Sequence, residues 1–322
     1  MPLAAVIMNP TKVDDLEGTR TAITGVCTDH GWSEPLWLET TQEETGESQA
    51  RQAVEAGADV VMACGGDGTV RAVAQVLAGS GVVMGLLPAG TGNLLARNLE
   101  MTLDDLPGAA RVALTGDDRA IDVGWMRVDR ADREEVFLVM AGMGFDAEIM
   151  ANAPEGLKAR VGPAAYVVAG LRHFNGRRTR VAISLDDRPA LQRRIRTVVI
   201  GNCGKLLGGL VLMPDAEIDD GHLDMISIAP AGIAGWAAVA GRVMTRTRKG
   251  HPRVEHWQTK KVVVQADEPH TAQLDGDPIG EATRIEVRVG AGALVVRVDA
   301  QHPTSLLDAA RGAAQDPTPE RL

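Results

Sequence analysis

The sequence is poor in the features that mark several protein classes. Only 3% of its 322 residues are aromatic, and no uninterrupted apolar run reaches the ~18 residues of a membrane-spanning helix. The three cysteines lack metal-ligand spacing, which favours reduced thiols in the cytosol. The N-terminus has no basic region before its apolar run, so we expect a first strand there and no signal peptide. A net charge of −10 argues against a general nucleic-acid-binding surface.

What the sequence does contain is an ordinary globular balance, with 45% apolar and 24% charged residues in a chain long enough for two domains. Its first part alternates apolar runs with segments of helical spacing. Leu3–Met8, Val60–Cys64 and Val82–Leu87 suit buried parallel strands. Gly46–Ala56 and Gly92–Leu99 are predicted helices. This alternation predicts an open α/β sheet.

The pattern changes after about Ile121. Apolar segments separated by turn residues predict an antiparallel β domain. These segments are Glu135–Ala141, Arg180–Leu185, Arg196–Gly201, Leu223–Ile228, Lys261–Ala266, Arg284–Val289 and Leu294–Val298. Two helical interruptions are predicted, at Pro163–His173 and Ala231–Thr245.

We therefore expect an α/β plus β-rich fold with two domains, residues 1–122 and residues 123–300. The boundary is expected in a charged turn near Asp118–Val123. A polar tail, residues 301–322, follows, and we leave open whether it returns to the first domain.

The strongest local signal is Gly65-Gly66-Asp67-Gly68-Thr69, which follows an apolar strand and precedes a helix-compatible run. Glycines let backbone N–H groups approach phosphate oxygens closely, and a helix N-terminus favours negative charge. Thr69 offers a hydroxyl to a phosphate, and Asp67 places a carboxylate where Mg²⁺ would sit. An ordinary βα turn also uses glycines, but the aspartate and the threonine favour a phosphate site.

A second loop has the same design. Leu86–Ala96 again places glycines and a hydroxyl at the carboxyl end of an apolar run, in Gly90-Thr91-Gly92-Asn93. Ligands of open α/β sheets bind outside the carboxyl ends of the strands, so the two loops together predict one nucleotide-phosphate crevice. The P-loop pattern is absent from the sequence.

These two loops resemble those of the diacylglycerol kinase catalytic domain family, which includes sphingosine and ceramide kinases. The resemblance runs in the family's order through nearly all of residues 5–300. Its further segments are Asn9-Pro10, Ala141–Ala147, Gly201-Asn202, Pro214–Asp224 and Leu274-Asp275-Gly276-Asp277.

The resemblance implies an ATP- and Mg²⁺-dependent lipid kinase and roles for the matching residues. Asp275 would be the general base that accepts the proton of the lipid hydroxyl, and Asp67 would order Mg²⁺ and water near the γ-phosphate. The backbone carbonyls of Glu217 and His222, with the side chain of Asp220, would hold a structural Mg²⁺. The implied ATP-binding residues are Asn9, either Thr40 or Thr41 (we choose Thr41), Gly65, Gly66, Asp67, Gly68, Thr69, Gly90, Thr91, Gly92 and Asn93.

The turn around Asp275 departs from the family in one place. Bacterial relatives usually carry Leu-Asp-Gly-Glu, whereas here Asp277 is one methylene shorter. We count Asp277 as a catalytic residue that acts through the Mg²⁺ ion near the γ-phosphate. By itself, Asp-Gly is also a common hairpin turn. We therefore expect Asp275 to contribute little packing and its removal to leave folding intact.

Two weaker patterns allow more than one interpretation. Gly142-x-Gly144-x-x-Ala147 mimics a dinucleotide-binding fingerprint but lies in the β-rich half. Ala231–Arg253 carries five Lys or Arg and no acid, together with Trp236. It suits either a packed helix with a basic end or a peripheral contact with an anionic membrane.

Our prediction is a cytoplasmic, peripherally membrane-associated kinase that phosphorylates a membrane lipid, with diacylglycerol as the preferred acceptor. A homodimer is left open. One alternative is a kinase of a soluble metabolite such as NAD, since NAD kinases share the Gly-Gly-Asp-Gly loop. Another is a non-catalytic lipid-binding or regulatory relative, which is suggested by Asp277 in place of the usual glutamate.

Overall fold

The first strand, β1 (Ala4–Met8), is buried at every position in a computed structural model that describes residues 1–144, 178–205, 211–229 and 254–299. Alternate side chains of β1 enter different cores. Ala5 and Ile7 belong to one, and Val6 and Met8 to the other. A strand covered on both faces is typical of a parallel sheet between two helical layers.

Residues 4–115 form this α/β half. After β1 and a 3-10 turn (Pro10–Lys12), the elements are α1 (Leu16–Asp29), β2 (Leu36–Glu39), α2 (Glu47–Glu55), β3 (Val60–Gly65), α3 (Asp67–Leu77), β4 (Val83–Pro88), α4 (Leu94–Asn98) and α5 (Leu106–Thr115). The strands lie in the order β2-β1-β3-β4 and are all parallel. Their carboxyl ends therefore meet at one edge of the sheet.

The second half is built of strands in its described part. These are β5 (Asp117–Val128), β6 (Glu135–Phe137), β7 (Met140–Met143), β8 (Thr179–Leu185), β9 (Leu191–Ile195), β10 (Thr197–Gly201), β11 (Leu223–Ile228), β12 (Val254–Thr259), β13 (Lys261–Leu274) and β14 (Asp277–Val298). Neighbouring strands here pair antiparallel, in the order β12-β11-β10-β7-β13-β14. The predicted α/β plus β-rich fold class is confirmed.

The two halves share one sheet, because β14 also pairs parallel with β4 through Val296 and Met84. The charged turn expected at Asp118–Val123 is wrong. Those residues belong to β5, which pairs with β14 from Asp117 opposite Val298 onward. The strand continues because Ile121 and Val123 enter the core, and the buried Asp122 between them is hydrogen-bonded by backbone N–H groups.

Some predicted segments lie outside the described residues. These are the helices Pro163–His173 and Ala231–Thr245, the tail after residue 300, and the basic segment Ala231–Arg253. The three predicted strands between Lys261 and Val298 merge into the long hairpin of β13 and β14, whose turn is Asp275-Gly276. In the described part of the chain, no helix is long and apolar enough to cross a membrane.

Candidate active site

The two glycine loops lie side by side at the carboxyl ends of β3 and β4. The strands pair up to Gly65 and Pro88, and the N–H of Ala89 donates to the carbonyl of Gly65 at 3.1 Å. Beyond them, a Cβ added to Gly90 would lie 2.5 Å from the Cα of Gly66, where only glycine leaves room. The structure thus brings together the two loops that the sequence assigned to one crevice.

Asp67 ties one loop to the other. It is the first residue of α3, and its Oδ1 accepts a hydrogen bond of 2.6 Å from the N–H of Leu94, where α4 begins. A side chain at Gly92 would collide with its Oδ2. Burial raises the pKa of Asp67, the Leu94 and Asn93 amides oppose this, and the nearby charge of Asp277 adds to the rise. The carboxylate therefore has a structural role in the crevice besides the predicted role toward Mg²⁺.

Asn93 closes the second loop on itself. Its backbone is left-handed, with φ of 47°, and its side chain is buried. The amide accepts from the N–H of Gly90 at 3.0 Å and donates to the carbonyl of Gly90 at 2.7 Å. Thr91 is exposed at the tip of the same loop, whereas Thr69 is buried beside Gly65 in the first loop. Asn93 thus shapes the loop through its own side chain.

The remaining predicted ATP residues lie at the ends of β1 and β2. The N–H of Asn9 donates to the carbonyl of Cys64 at 2.8 Å, which places Asn9 next to the first loop. Thr40 is buried, and its N–H donates to the carbonyl of Met8 at the end of β1. Thr41 is exposed, and its hydroxyl accepts from the N–H of Glu44 within a local turn. The two threonines therefore lie at the same edge of the sheet as the glycine loops, in different surroundings.

Asp275 is buried, against our expectation of a solvated turn with little packing. Its carboxylate accepts hydrogen bonds from three consecutive backbone N–H groups, those of Leu138, Val139 and Met140, at 2.8 to 3.3 Å. The turn allows this because Asp275 is left-handed, with φ of 49°. The expectation failed because these amides come from the β6–β7 connection, which is distant in sequence.

Burial raises the pKa of Asp275, although the charge of Arg71 and the three amides pull the pKa down. The two carboxylate oxygens differ in their use. Oδ1 contacts all three amides, whereas Oδ2 accepts only from Leu138, at 3.0 Å. A carboxylate oxygen has two lone-pair sites, so Oδ2 retains one for a hydroxyl proton.

Arg71 joins the Asp275-Gly276-Asp277 turn to the first glycine loop, and sequence reasoning missed it. Its guanidinium lies 2.9 Å from Oδ2 of Asp277. Arg71 lies one helical turn after Asp67 on α3, so the two face the same side. The only sequence signal was this spacing of four residues. The structure therefore brings Asp275 and Asp277 beside one arginine, with Asp67 one helical turn before it.

Two amide side chains fasten the helices of the α/β half to backbone of the β-rich half. Gln75 on α3 donates to the carbonyl of Glu134 at 3.2 Å and accepts from the N–H of Val136 at 2.7 Å. Asn98 on α4 donates to the carbonyl of Lys205 at 2.9 Å and accepts from the N–H of Lys205 at 3.1 Å. Sequence analysis did not single out either residue.

The predicted metal residues lie in a separate loop, before β11. Oδ1 of Asp220 accepts from the N–H of His222 at 2.9 Å, and Oδ2 accepts from Gln258 at 2.8 Å. Glu217 is exposed. Among the described residues, no three His, Cys, Asp or Glu side chains form a metal-binding group. The implied set of two carbonyls and one carboxylate is all oxygen, which suits Mg²⁺.

The surroundings of this loop also favour a cation. Asp122 is buried and accepts from the N–H groups of Gly221 and Gly292, at 2.6 and 2.7 Å. Burial raises the pKa of Asp122, and the charges of Asp220 and Asp219 raise it further. Arg119, 2.7 Å from Oδ2 of Asp219, supplies one cation here, and a bound Mg²⁺ would offset the remaining repulsion.

The dinucleotide-fingerprint alternative fails in its described part. Gly142 lies in β7, which is antiparallel to both of its neighbours, β10 and β13. A dinucleotide fingerprint requires a parallel strand that leads into a helix.

Comparisons with known proteins agree with this geometry. Residues 4–126 match the model of the diacylglycerol kinase catalytic domain, and residues 139–298 match that of the YegS C-terminal NAD kinase beta sandwich-like domain. A "probable lipid kinase YegS-like" protein of Pseudomonas aeruginosa strain UCBPP-PA14 is 35% identical, over 78% of this chain and 80% of the relative. A diacylglycerol kinase of Staphylococcus haemolyticus is 26% identical, over 85% and 82% respectively.

Solved structures share the fold. A diacylglycerol kinase from Bacillus anthracis superimposes with a TM-score of 0.71 at 21% identity, covering 92% of this chain and 97% of the other. An NAD kinase from Archaeoglobus fulgidus, in complex with ATP, superimposes with a TM-score of 0.53 at 14% identity, covering 97% and 99%. By the two matching domains and the Pseudomonas relative, the chain belongs to the lipid kinase family that carries the diacylglycerol kinase catalytic domain.

Proposed function

We propose that the protein transfers the γ-phosphoryl group of ATP to a hydroxyl of a membrane lipid, with diacylglycerol as the acceptor and phosphatidic acid as the product. One observation carries the proposal. The turn with Asp275 lies against the helix that begins at the glycine loop, joined by Arg71 and Asp277 at 2.9 Å. Donor phosphates and acceptor hydroxyl would then meet in one crevice.

In the proposed reaction the lipid oxygen attacks the γ-phosphorus, the bond to the β-phosphate oxygen breaks, and ADP leaves. Asp275 takes the hydroxyl proton through Oδ2, which accepts only the Leu138 N–H and so has a lone pair free. The N–H groups of the glycine loops bind the phosphate oxygens, and Mg²⁺, when bound, neutralises phosphate charge. Asp67 and Asp277 supply carboxylates near that position.

The names of the relatives support this acceptor class, since they are lipid or diacylglycerol kinases. A soluble acceptor is the second candidate, because an NAD kinase shares the fold. We also propose peripheral membrane contact through the basic segment Ala231–Arg253, where Trp236 and the cations suit an anionic interface.

The test is a phosphorylation assay with purified full-length protein, radiolabelled ATP and Mg²⁺. Dioleoylglycerol, sphingosine and NAD are offered in parallel, the lipids in anionic vesicles, and products are identified by mass spectrometry. We expect labelled phosphatidic acid and little product from the other two. Labelled NADP with no labelled lipid would overturn the proposal in favour of the soluble acceptor. ATP binding without any product would favour a non-catalytic relative.

A further inference from the structure

Gln273 carries an amide whose hydrogen-bonding capacity is only partly used. It lies on β13, two residues before Asp275, and is fully buried. Its Oε1 accepts from the N–H of Gly276 at 2.7 Å, whereas its buried Nε2 has no hydrogen-bond partner in the described structure. Leaving a buried donor unsatisfied costs about 1–3 kcal/mol. Such a group in a native protein requires an explanation, and a missing ligand is one.

The neighbouring strand β7 presents only backbone to this buried amide. Ala272 and Leu274, its neighbours on β13, both enter the core of the β-rich half. Since side chains alternate along a strand, Gln273 points to the other face. There its partner across the sheet is Gly142 of β7, and a Cβ at Gly142 would lie 3.4 Å from Nε2. Because Gly142 has no side chain, β7 offers the donor no side-chain partner.

The orientation of the amide is determined by its other bond. The N–H of Gly276 requires an acceptor, so Oε1 must face Gly276 and Nε2 must face away. The free group is therefore a neutral N–H donor. It suits a carbonyl oxygen and does not suit the ammonium group of a sphingoid base, which can only donate.

We propose that Gln273 is a specificity-determining residue of the acceptor site, whose Nε2 donates a hydrogen bond to an ester carbonyl of the acceptor lipid. This inference rests on the proposed lipid kinase function. It deepens that function by assigning a residue that distinguishes ester lipids from acceptors without the carbonyl. A site built to hydrogen-bond a substrate group rejects analogues that lack it, because its own polar group then remains unpaired.

The test uses two acceptors of matched shape, dioleoylglycerol and its 1,2-dioleyl ether, which lacks both ester carbonyls. Wild type should prefer the ester by roughly 10-fold in kcat/KM, the size of one hydrogen bond. Gln273→Met keeps the length of the side chain and removes the donor, together with Oε1, the acceptor of the Gly276 N–H. Because Gly276 lies between Asp275 and Asp277, rates with both lipids should fall, and the readout is the ester-to-ether ratio of kcat/KM, which should drop from about ten to about one.

Gln265→Met is the control for the same substitution at an exposed position. Gln265 lies on the same strand, and its amide donates to the carbonyls of Ala266 and Thr283 within the protein, at 3.3 and 3.2 Å. This variant should keep the wild-type preference for the ester. Thermal unfolding and ATP titration check that each variant is folded, and Gln273→Leu replaces Gln273→Met if the latter is not.

The outcomes separate the inference from the function on which it rests. An active Gln273→Met that keeps the ester preference overturns the role of Gln273 alone. Equal use of the ester and the ether by the wild type would also overturn the role of Gln273. A wild type that binds ATP and phosphorylates neither lipid contradicts the proposed function, and the role of Gln273 with it.

Discussion

Arg71 and Asp277 are 206 positions apart in the chain, yet their side chains meet at 2.9 Å. Arg71 belongs to the helix that starts at the glycine loop, and Asp277 to the turn that carries Asp275. The arginine also lowers the pKa of Asp275, which burial raises. One cation thus holds the two parts of the crevice together and offsets the repulsion among their carboxylates.

Replacing this cation should reduce turnover without unfolding the protein. Arg71→Gln leaves Asp275 and Asp277 without their shared countercharge, and we expect kcat to fall by about 10- to 100-fold, as for other groups that assist catalysis by positioning. Because Asp277 is 56% exposed, stability should change by at most about 1 kcal/mol. Arg71→Lys should keep part of the activity. Initial rates and chemical denaturation measure the two effects.

The control is Arg193→Gln, which removes another half-exposed arginine–carboxylate pair, with Glu255 at 2.8 Å, far along the β-rich half. It should leave kcat unchanged. Equal kcat values for Arg71→Gln and wild type would show that the pair is an ordinary surface ion pair.

The close approach of the glycine loops predicts an effect on nucleotide binding. Gly90→Ala would place a methyl group 2.5 Å from the Cα of Gly66, so one loop must move and the phosphate-binding N–H groups with it. We expect ATP affinity to fall by roughly 10-fold or more, since about 1.4 kcal/mol corresponds to a factor of ten. Isothermal titration with a non-hydrolysable ATP analogue measures this.

Gly25→Ala is the matched control for a small methyl addition. Gly25 lies in α1, and a Cβ there would meet nothing within 4 Å. This variant should bind ATP normally and gain up to about 1 kcal/mol of stability, because alanine is the better helix former. Unchanged ATP affinity in Gly90→Ala would remove the second loop from the nucleotide site.

Much of the fold could be predicted from the sequence, because its signals are local. Apolar runs such as Val60–Cys64 became buried strands, and glycine-rich loops followed them at the predicted edge. The charged residues near Asp118 misled us, because Asp117 and Asp118 are exposed at the start of one long strand, whereas Asp122 is buried between Ile121 and Val123. Charge alone does not distinguish a turn from a strand whose buried carboxylate is hydrogen-bonded by distant backbone N–H groups.

The site could be predicted only in part, for a related reason. The residues of each loop were visible as motifs, but the contacts between motifs depend on pairing over long distances. The amides that surround Asp275 come from Leu138, Val139 and Met140, and no local pattern marks them. The role of Arg71 depends on a turn near the end of the chain, which a window of neighbouring residues cannot include.

The basic segment leads to a prediction about membrane binding. Replacing its cations by glutamine should weaken binding to anionic vesicles by about 1 kcal/mol for each charge near the surface. The four substitutions are Arg242→Gln, Arg246→Gln, Arg248→Gln and Lys249→Gln. High salt should weaken wild-type binding in the same way, since salt screens exposed charges. Vesicle co-sedimentation measures both, with neutral vesicles as the control. Equal binding by variant and wild type would identify the segment as a packed helix.

The pH dependence of activity should reveal the environment of Asp275. A general base acts only when ionised, so kcat/KM should fall as the pH drops through the pKa of Asp275. Because burial raises this pKa, the acid limb should lie above the range of an ordinary aspartate. Arg71→Gln should shift the limb further upward, since Arg71 lowers the pKa. An acid limb that does not move in Arg71→Gln would contradict the assignment.

The sharpest prediction concerns Asp275→Asn, because the structure reverses what the sequence led us to expect. The asparagine oxygen can take the place of Oδ1 and keep the bonds from Val139 and Met140. Its Nδ2 then replaces Oδ2 and turns a donor toward the N–H of Leu138, which loses its 3.0 Å bond to a charged acceptor, at about 1.5–3 kcal/mol. We expect lower stability in chemical denaturation as well as loss of turnover by about 10²–10⁴-fold.

Asp187→Asn is the control for the stability effect. Asp187 also lies in a turn with positive φ, but its side chain is exposed. In the described structure, this side chain has one hydrogen bond, from Lys261. It should change stability by less than about 1 kcal/mol. To separate folding from chemistry, activity is compared at a temperature where Asp275→Asn is fully folded and saturated with ATP. Turnover close to wild type under those conditions would mean that Asp275 holds the β6–β7 connection and takes no part in proton transfer.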